Sequence, residues 1–304
     1  MSPTGPSSRA PRGRRLRLLA DVGGTKARFA LSSKEHTHDR VEVYSNRDYV
    51  SLAAAARAYL DHIGAAPAPA EAAISIACPV DDDRISLTNF GWTFSREELR
   101  RELELDRLEV VNDFTAVALS VPHLGPGDAE KLGGGEPVPT APVGVIGPGT
   151  GLGVSGLVPL AGRHVALSAE GGHVTLPASS AREDAVIARL RRRFGHVSAE
   201  RAISGPGLVN LHTALREIDG LEAERLGPRE IARRAVAASD PTCREAAAML
   251  SAMLGTVAGN LALTLGAKGG VYLAGGVLHN MGAAFDRALF RERFESKGRL
   301  STFT

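Results

Sequence analysis

Residues 143–158 read Val143-Gly144-Val145-Ile146-Gly147-Pro148-Gly149-Thr150-Gly151-Leu152-Gly153-Val154-Ser155-Gly156-Leu157-Val158: an apolar run enters a glycine-dense turn and a second apolar run leaves it. The pattern predicts strand, tight turn, strand. Glycines let the backbone take positive φ and come close to a ligand, and successive N–H groups in such turns point into a concavity that favours an anion. A glycine-rich hairpin without a ligand has the same pattern, so this stretch becomes informative only if another part of the chain agrees.

Near the N-terminus, Leu18-Leu19-Ala20-Asp21-Val22-Gly23-Gly24-Thr25-Lys26-Ala27-Arg28-Phe29-Ala30-Leu31 repeats the plan of apolar strand, glycine turn with a threonine, apolar strand. Thr25 and Thr150 lie about 125 residues apart. A unit that recurs at half-chain spacing predicts two similar lobes facing one ligand. Neither turn fits the commoner phosphate motifs. The Walker pattern ends in Gly-Lys-Ser/Thr and opens a helix, whereas Lys26 is followed by Ala27 and Arg28. A dinucleotide fingerprint also needs a helix straight after its glycines, and Val154–Val158 reads as strand. The phosphates would then be held by two hairpins, with backbone amides and threonine hydroxyls as donors.

Asp21-Val22-Gly23-Gly24-Thr25, taken with Gly147-Pro148-Gly149-Thr150-Gly151-Leu152-Gly153, resembles the two phosphate motifs of the actin-like ATPase and sugar-kinase superfamily. Three more stretches resemble bacterial ATP-dependent glucokinases in particular: Val111–Ala116, Glu170-Gly171-Gly172-His173 and Glu200–Leu208. The likeness runs from about Arg17 to about Leu300. It implies an α/β, two-lobed actin-like (ribonuclease H-like) fold with sugar and nucleotide in the interlobe cleft. It implies ATP and Mg²⁺ as cofactors, D-glucose as the sugar, and a possible homodimer. The reaction implied is γ-phosphoryl transfer to the 6-hydroxyl, the opening step of glycolysis. Two alternatives stay open: a glucose-binding sensor or regulatory paralogue without turnover, and a kinase for a related hexose.

Composition reads as that of a soluble, intracellular protein. A chain of 304 residues suffices for two domains with separate cores. Five arginines, at positions 9, 12, 14, 15 and 17, contribute to the formal charge of +2, so the rest of the chain carries about −3. A mildly acidic body is not that of a nucleic-acid binder, and residues 1–16 read as a disordered leader. The two cysteines, Cys78 and Cys243, have no CxxC spacing and offer neither a disulfide framework nor a zinc knuckle. No apolar run reads as long enough to span a bilayer, and the expected location is the cytoplasm.

Along the chain, residues 17–122 read as a small α/β domain and 123–304 as a larger one. Strands are expected at Arg17–Leu31, Val41–Val43, Ala72–Ala77, Ile85–Leu87 and Leu108–Val111, with helices at Ser51–Ile63 and, in a capping box of Ser95 with Glu98, to about Glu104. In the second half, helices are expected at Glu183–Phe194, from Pro228, and from a Thr242 cap to Leu265, with a strand at Gly269–Ala274. Members of the resembled family continue past Lys297-Gly298-Arg299 with a strand and a final helix that returns to the first lobe, so that element is expected to be missing here.

A neutral ring of hydroxyls is recognised by fixed carboxylates and amides, and charge-assisted hydrogen bonds are the stronger kind. Asn112, Asp113, Glu170, His173 and Glu200 are of the required types, and the resemblance places all five around the sugar. Asp113 follows a strand directly, where ligands of open α/β sheets bind, and the matching family residue is the base at the 6-hydroxyl. The glycines of Glu170-Gly171-Gly172-His173 would turn the backbone so that both side chains face one ligand. The resemblance assigns Asp21, Gly23, Gly24, Thr25, Lys26, Gly149, Thr150 and Gly151 to the nucleotide phosphates and Gly275 and Gly276 to the adenosine. Asp21 would bind Mg²⁺ through water. Lys26 departs from the asparagine common at that place, and a cation near phosphates is compatible with the role.

Overall fold

The computed structural model describes residues 16–33, 37–87 and 90–304, so the expected leader lies outside the described residues apart from Leu16. The chain divides into two compact units between Ala116 and Val117.

In the first unit, β1 (Arg17–Val22) and β2 (Lys26–Ser32) form the first glycine hairpin, continued by β3 (Asp39–Ser45). Helix α1 (Leu52–His62) is capped by Ser51, whose Oγ accepts from the Ala54 N–H at 3.1 Å. Next come β4 (Glu71–Ile76), the small ribbon of β5 (Arg84–Ser86) and β6 (Thr93–Ser95), α2 (Arg96–Glu102), β7 (Arg107–Asn112) and α3 (Asp113–Ser120). Ser95 caps α2 through the Glu98 N–H at 3.1 Å, as the capping-box pattern requires. The sheet order is β3-β2-β1-β4-β7, with β4 and β7 parallel to β1. Alternate residues of β1 point inward, and Leu18, Val22, Phe29, Ile74, Ile76 and Tyr59 are almost completely buried. Burial of each such side chain is worth about 1.5–3 kcal/mol relative to exposure, which fixes the register: a one-residue slip would turn the set to solvent.

The second unit repeats the plan. Here β8 (Val143–Pro148) and β9 (Leu152–Leu160) form the second glycine hairpin, β10 (Arg163–Ala169) extends it, and β11 (Val271–Leu273) adds parallel to β8. The order β10-β9-β8-β11 matches the first four strands of the other sheet. Between β10 and β11 the chain forms α4 (Ala181–Phe194), α5 (Gly205–Ile218), α6 (Pro228–Val236) and α7 (Pro241–Leu265), and after β11 α8 (Gly276–Met281) and α9 (Arg287–Glu295). Helix α7 is the hub of this unit, packed on α5, α6, α9 and β8. Its length corrects the expectation that no apolar run could span a bilayer. By length and composition α7 could cross a membrane, yet 78% of its most apolar window is buried inside the protein. A helix apolar on all sides needs an apolar environment, and here the neighbouring helices supply it.

Three further differences have local causes. The cap of α7 is Asp240, whose carboxylate accepts from the Thr242 and Cys243 N–H groups; Thr242 itself lies inside the helix. Helix α5 opens on Gly205-Pro206-Gly207, where the sequence pattern above places no helix. It starts there because Ser204 Oγ accepts from the Gly207 N–H at 2.9 Å and proline suits a first turn. Finally, the units part within α3 instead of after it, because from Val117 onward α3 lines a groove together with residues of the second unit.

Candidate active site

In the first unit, three parallel strands end together. Val22 of β1 is in register with Ile76 of β4, and Ile76 with Asn112 of β7, so the glycine turn and the Asn112-Asp113 pair emerge at one edge of the sheet. Asn112 is largely occupied by the fold. Its Oδ1 accepts from the N–H groups of Phe114 (2.9 Å) and Thr115 (3.3 Å), capping α3, and its Nδ2 donates to the Cys78 carbonyl at 3.4 Å. One amide N–H is left for a ligand. Asp113, the first residue of α3, accepts from the Phe114 N–H at 2.9 Å. Burial pushes its carboxyl above the usual aspartate range, the Phe114 N–H opposes that, and the nearby Asp21 charge adds to the rise.

Asp21 is exposed, with Ser75 Oγ donating to Oδ1 at 2.9 Å and Arg28 Nη1 to Oδ2 at 3.3 Å. The turn that follows is closed by Gly23 N–H to Lys26 O at 3.0 Å, and the side chains of Thr25 and Lys26 face solvent. A residue that the motif reading passes over holds this turn from behind. Asn46, only 1% exposed, donates its Nδ2 to the Gly23 carbonyl at 2.9 Å and its backbone N–H to the Thr25 carbonyl at 3.0 Å. Nothing in Ser45-Asn46 marks it in the sequence, because its role depends on a turn 21 residues away along the chain.

In the second unit, Gly149 lies at the tip of the β8–β9 hairpin, its N–H bonded to Gly151 O at 2.8 Å and its carbonyl to the first N–H of α5, Gly205, at 2.9 Å. A Cβ at Gly149 would meet nothing within 4 Å. Thr150 is exposed beside it. Glu200, expected at the sugar, lies against this hairpin, where Oε2 accepts from the Leu152 N–H at 3.0 Å. Gly275 and Gly276 follow β11 at the same end of the sheet, and Gly275 is obligatory: its φ is +88° and a Cβ would fall 2.4 Å from the Pro148 carbonyl. Glu170 and His173 are both exposed, with Oε2 and Nε2 3.9 Å apart. The glycines between them serve a different purpose from the one expected. Neither has positive φ; a Cβ on Gly172 would stand 2.0 Å from Leu152 O and one on Gly171 2.8 Å from Val154, so they are small to let the segment lie on β9. The hairpin glycines Gly23, Gly149 and Gly151 likewise keep φ outside the left-handed region, so what they provide is space.

Each unit thus carries a glycine hairpin at a sheet end with carboxylates beside it. The glucokinase family model matches residues 18–304. The chain belongs to the glucokinase family. It is 51% identical to a glucokinase of Aromatoleum aromaticum over 302 residues, which cover 99% of this chain and 90% of that protein. The crystal structure of a glucokinase from an Antarctic psychrotroph superposes with a TM-score of 0.85 at 34% identity, covering 95% of this chain and 91% of that one. A ROK-family glucokinase from Streptomyces griseus, solved with glucose and AMPPNP, shares the fold with a TM-score of 0.59 at 19% identity, covering 92% and 89%. The duplicated sheet order is thus the two-lobed actin-like α/β fold common to glucokinases and ROK hexokinases.

Proposed function

We propose that this chain is an ATP-dependent glucokinase, transferring the γ-phosphoryl group of ATP to the 6-hydroxyl of D-glucose to give glucose 6-phosphate and ADP. The observation that carries the reading is Asp113 at the carboxyl end of β7, its carboxyl raised by burial, in a chain of this family. A base works best when its pKa rises toward working pH while it stays ionised, and burial moves Asp113 in that direction. Asp113 takes the proton of the 6-hydroxyl as the oxygen attacks phosphorus, and the protonated carboxyl returns it to solvent after product release. The Asn112 cap keeps that carboxylate in place.

The sugar's other hydroxyls are assigned to the free Asn112 N–H, Glu170, His173 and Glu200 Oε1. The nucleotide phosphates are assigned to the amides and hydroxyls of Gly23–Lys26 and Gly149–Gly151, where the open face of Gly149 leaves room for them, and the adenosine to Gly275-Gly276. Asp21 fits Mg²⁺ as a hard oxygen donor, exposed, and close enough to Asp113 to raise its pKa, so a cation there relieves repulsion between two carboxylates. Bound with the nucleotide, Mg²⁺ would neutralise charge on the phosphate oxygens. A cytoplasmic location and a homodimer complete the proposal; cell fractionation and size-exclusion with light scattering test them.

The deciding experiment couples glucose 6-phosphate formation to a dehydrogenase, with Asp113→Ala alongside the parent. General-base assistance is worth about 10²–10⁴ in rate, so the variant should retain less than a tenth of the parental kcat. Retention above that removes Asp113 from the role, and glucose binding without turnover in the parent chain overturns the kinase reading.

A further inference from the structure

Three side chains of the second unit take no part in the chemistry above and yet converge. His212 projects from α5, Asp240 caps α7, and Cys243 lies in the first turn of α7; one ligand atom from each falls within 4.8 Å of the others. His212 is 0% exposed, and neither of its ring nitrogens has a hydrogen-bond partner. That is an unusual condition. A neutral imidazole always carries one N–H donor and one acceptor, and an unpaired buried donor is costly, whereas leucine, as at Leu208, Leu211 and Leu215 of the same helix, would fill such a place without polar loss. An unpaired buried histidine beside a thiol and a carboxylate brings three kinds of metal-ligand atom around one point.

The other two groups are also arranged to receive one. Asp240 spends Oδ1 on the Thr242 and Cys243 N–H groups, while Oδ2 is directed toward Arg234 Nη1 at a loose 3.7 Å. Cys243 is 0% exposed, and its thiol donates to the Asp240 carboxylate, so the proton a cation would displace lies between the two groups. Arg216, Arg234 and Glu224 also face the cluster.

We infer that His212, Asp240 and Cys243 bind one Zn²⁺, which ties α5 to the start of α7. One imidazole nitrogen, one carboxylate oxygen and one thiolate form the mixed donor set that Zn²⁺ accepts and Mg²⁺ does not, with water as the fourth ligand of a tetrahedral centre. Binding exchanges the S–H bond for an S–Zn bond and releases one proton to solvent; no electrons move. The two anionic ligands offset the charge of the ion. Because none of the three residues belongs to the sugar or nucleotide sites, the inference stands whatever reaction the chain catalyses.

The test uses the full 304-residue chain, stripped with a chelator and titrated with Zn²⁺ against a chromogenic competitor, and separately with Co²⁺. The expected results are one ion per chain, a thiolate-to-cobalt charge-transfer band in the near ultraviolet, and a Tm rise of roughly 5–10 °C at zinc a hundredfold above Kd. Cys243→Ser, Asp240→Asn and His212→Leu should each weaken zinc binding at least about 100-fold, more than changes outside a metal's own ligands cost. Asp240→Asn keeps an oxygen to cap α7, so it serves if the buried substitutions misfold. Cys78→Ser should bind as the parent does. Absence of stoichiometric binding, a cobalt spectrum without the thiolate band, or tight binding that survives both Cys243→Ser and Asp240→Asn overturns the inference.

Discussion

Gly172→Ala is the substitution that most directly tests how the site is built. The added methyl would stand 2.0 Å from the Leu152 carbonyl oxygen, with the Leu152 carbonyl carbon at 3.0 Å, and real Cβ atoms do not approach below 3.0 Å. The neighbour is backbone of the central hairpin strand β9, so relief must come from the Gly171–His173 turn, which has to lift by about 1 Å. Overpacking of that kind costs typically about 1–3 kcal/mol, read as a lower urea midpoint with unchanged m-value. A displacement of about 1 Å in a catalytic constellation is worth roughly 10²-fold in rate, so kcat/KM for glucose should fall by about that factor as Glu170 and His173 move. Gly149→Ala is the matched control. Its methyl meets nothing in the protein and its φ is unstrained, so stability should hold within about 0.5 kcal/mol while KM for ATP rises. Gly172→Ala with more than half of parental kcat/KM and unchanged stability would refute the argument that close approach to β9 places this segment.

Other substitutions separate fold from chemistry. Asn112→Ala removes the cap of α3 and should cost about 1 kcal/mol, whereas Asn112→Asp keeps an accepting oxygen and should be nearly neutral in stability while impairing glucose turnover. Asp113 titrates in the folded protein above its ordinary value, so kcat/KM should fall as pH drops through that raised value. The same shift sets a stability effect of opposite benefit. A raised carboxyl favours the fold below its unfolded pKa and loses that contribution as pH rises through the folded one, so Asp113→Asn should be more stable than the parent at neutral pH while nearly inactive. Glu183, buried between α4 and α9, pairs with Arg293 at 2.8 and 3.1 Å; Glu183→Gln should lower unfolding free energy by about 3 kcal/mol, measured in urea. Glu200→Ala frees the Leu152 N–H and should raise the KM values for both substrates if the carboxylate that holds the hairpin also binds the sugar as proposed.

Much of this molecule is legible along the chain because its signals are local. Apolar alternation in residues 17–31 and 143–158, broken by glycines, specifies two hairpins, and their recurrence implies the repeated sheet. Ser51 and Ser95 mark helix starts through bonds three residues away, and Asp113 is conspicuous because it directly follows a strand. What could not be read depends on surfaces that meet only after folding. The need for glycine at 172 comes from Leu152, the need at 275 from Pro148, and the hold on the first turn from Asn46, each a contact between segments with no pattern in common. The apolar composition of α7 is equally compatible with a bilayer and with a protein core, and only the helices packed around it tell which. Likewise His212, Asp240 and Cys243 are separated by 28 and 3 positions, a spacing that matches no metal motif, and they meet because α5 packs against the first turn of α7. Short-range periodicity dictates elements because each residue's backbone and burial preferences act within a turn or a strand pair; convergence of distant side chains depends on how the finished elements pack.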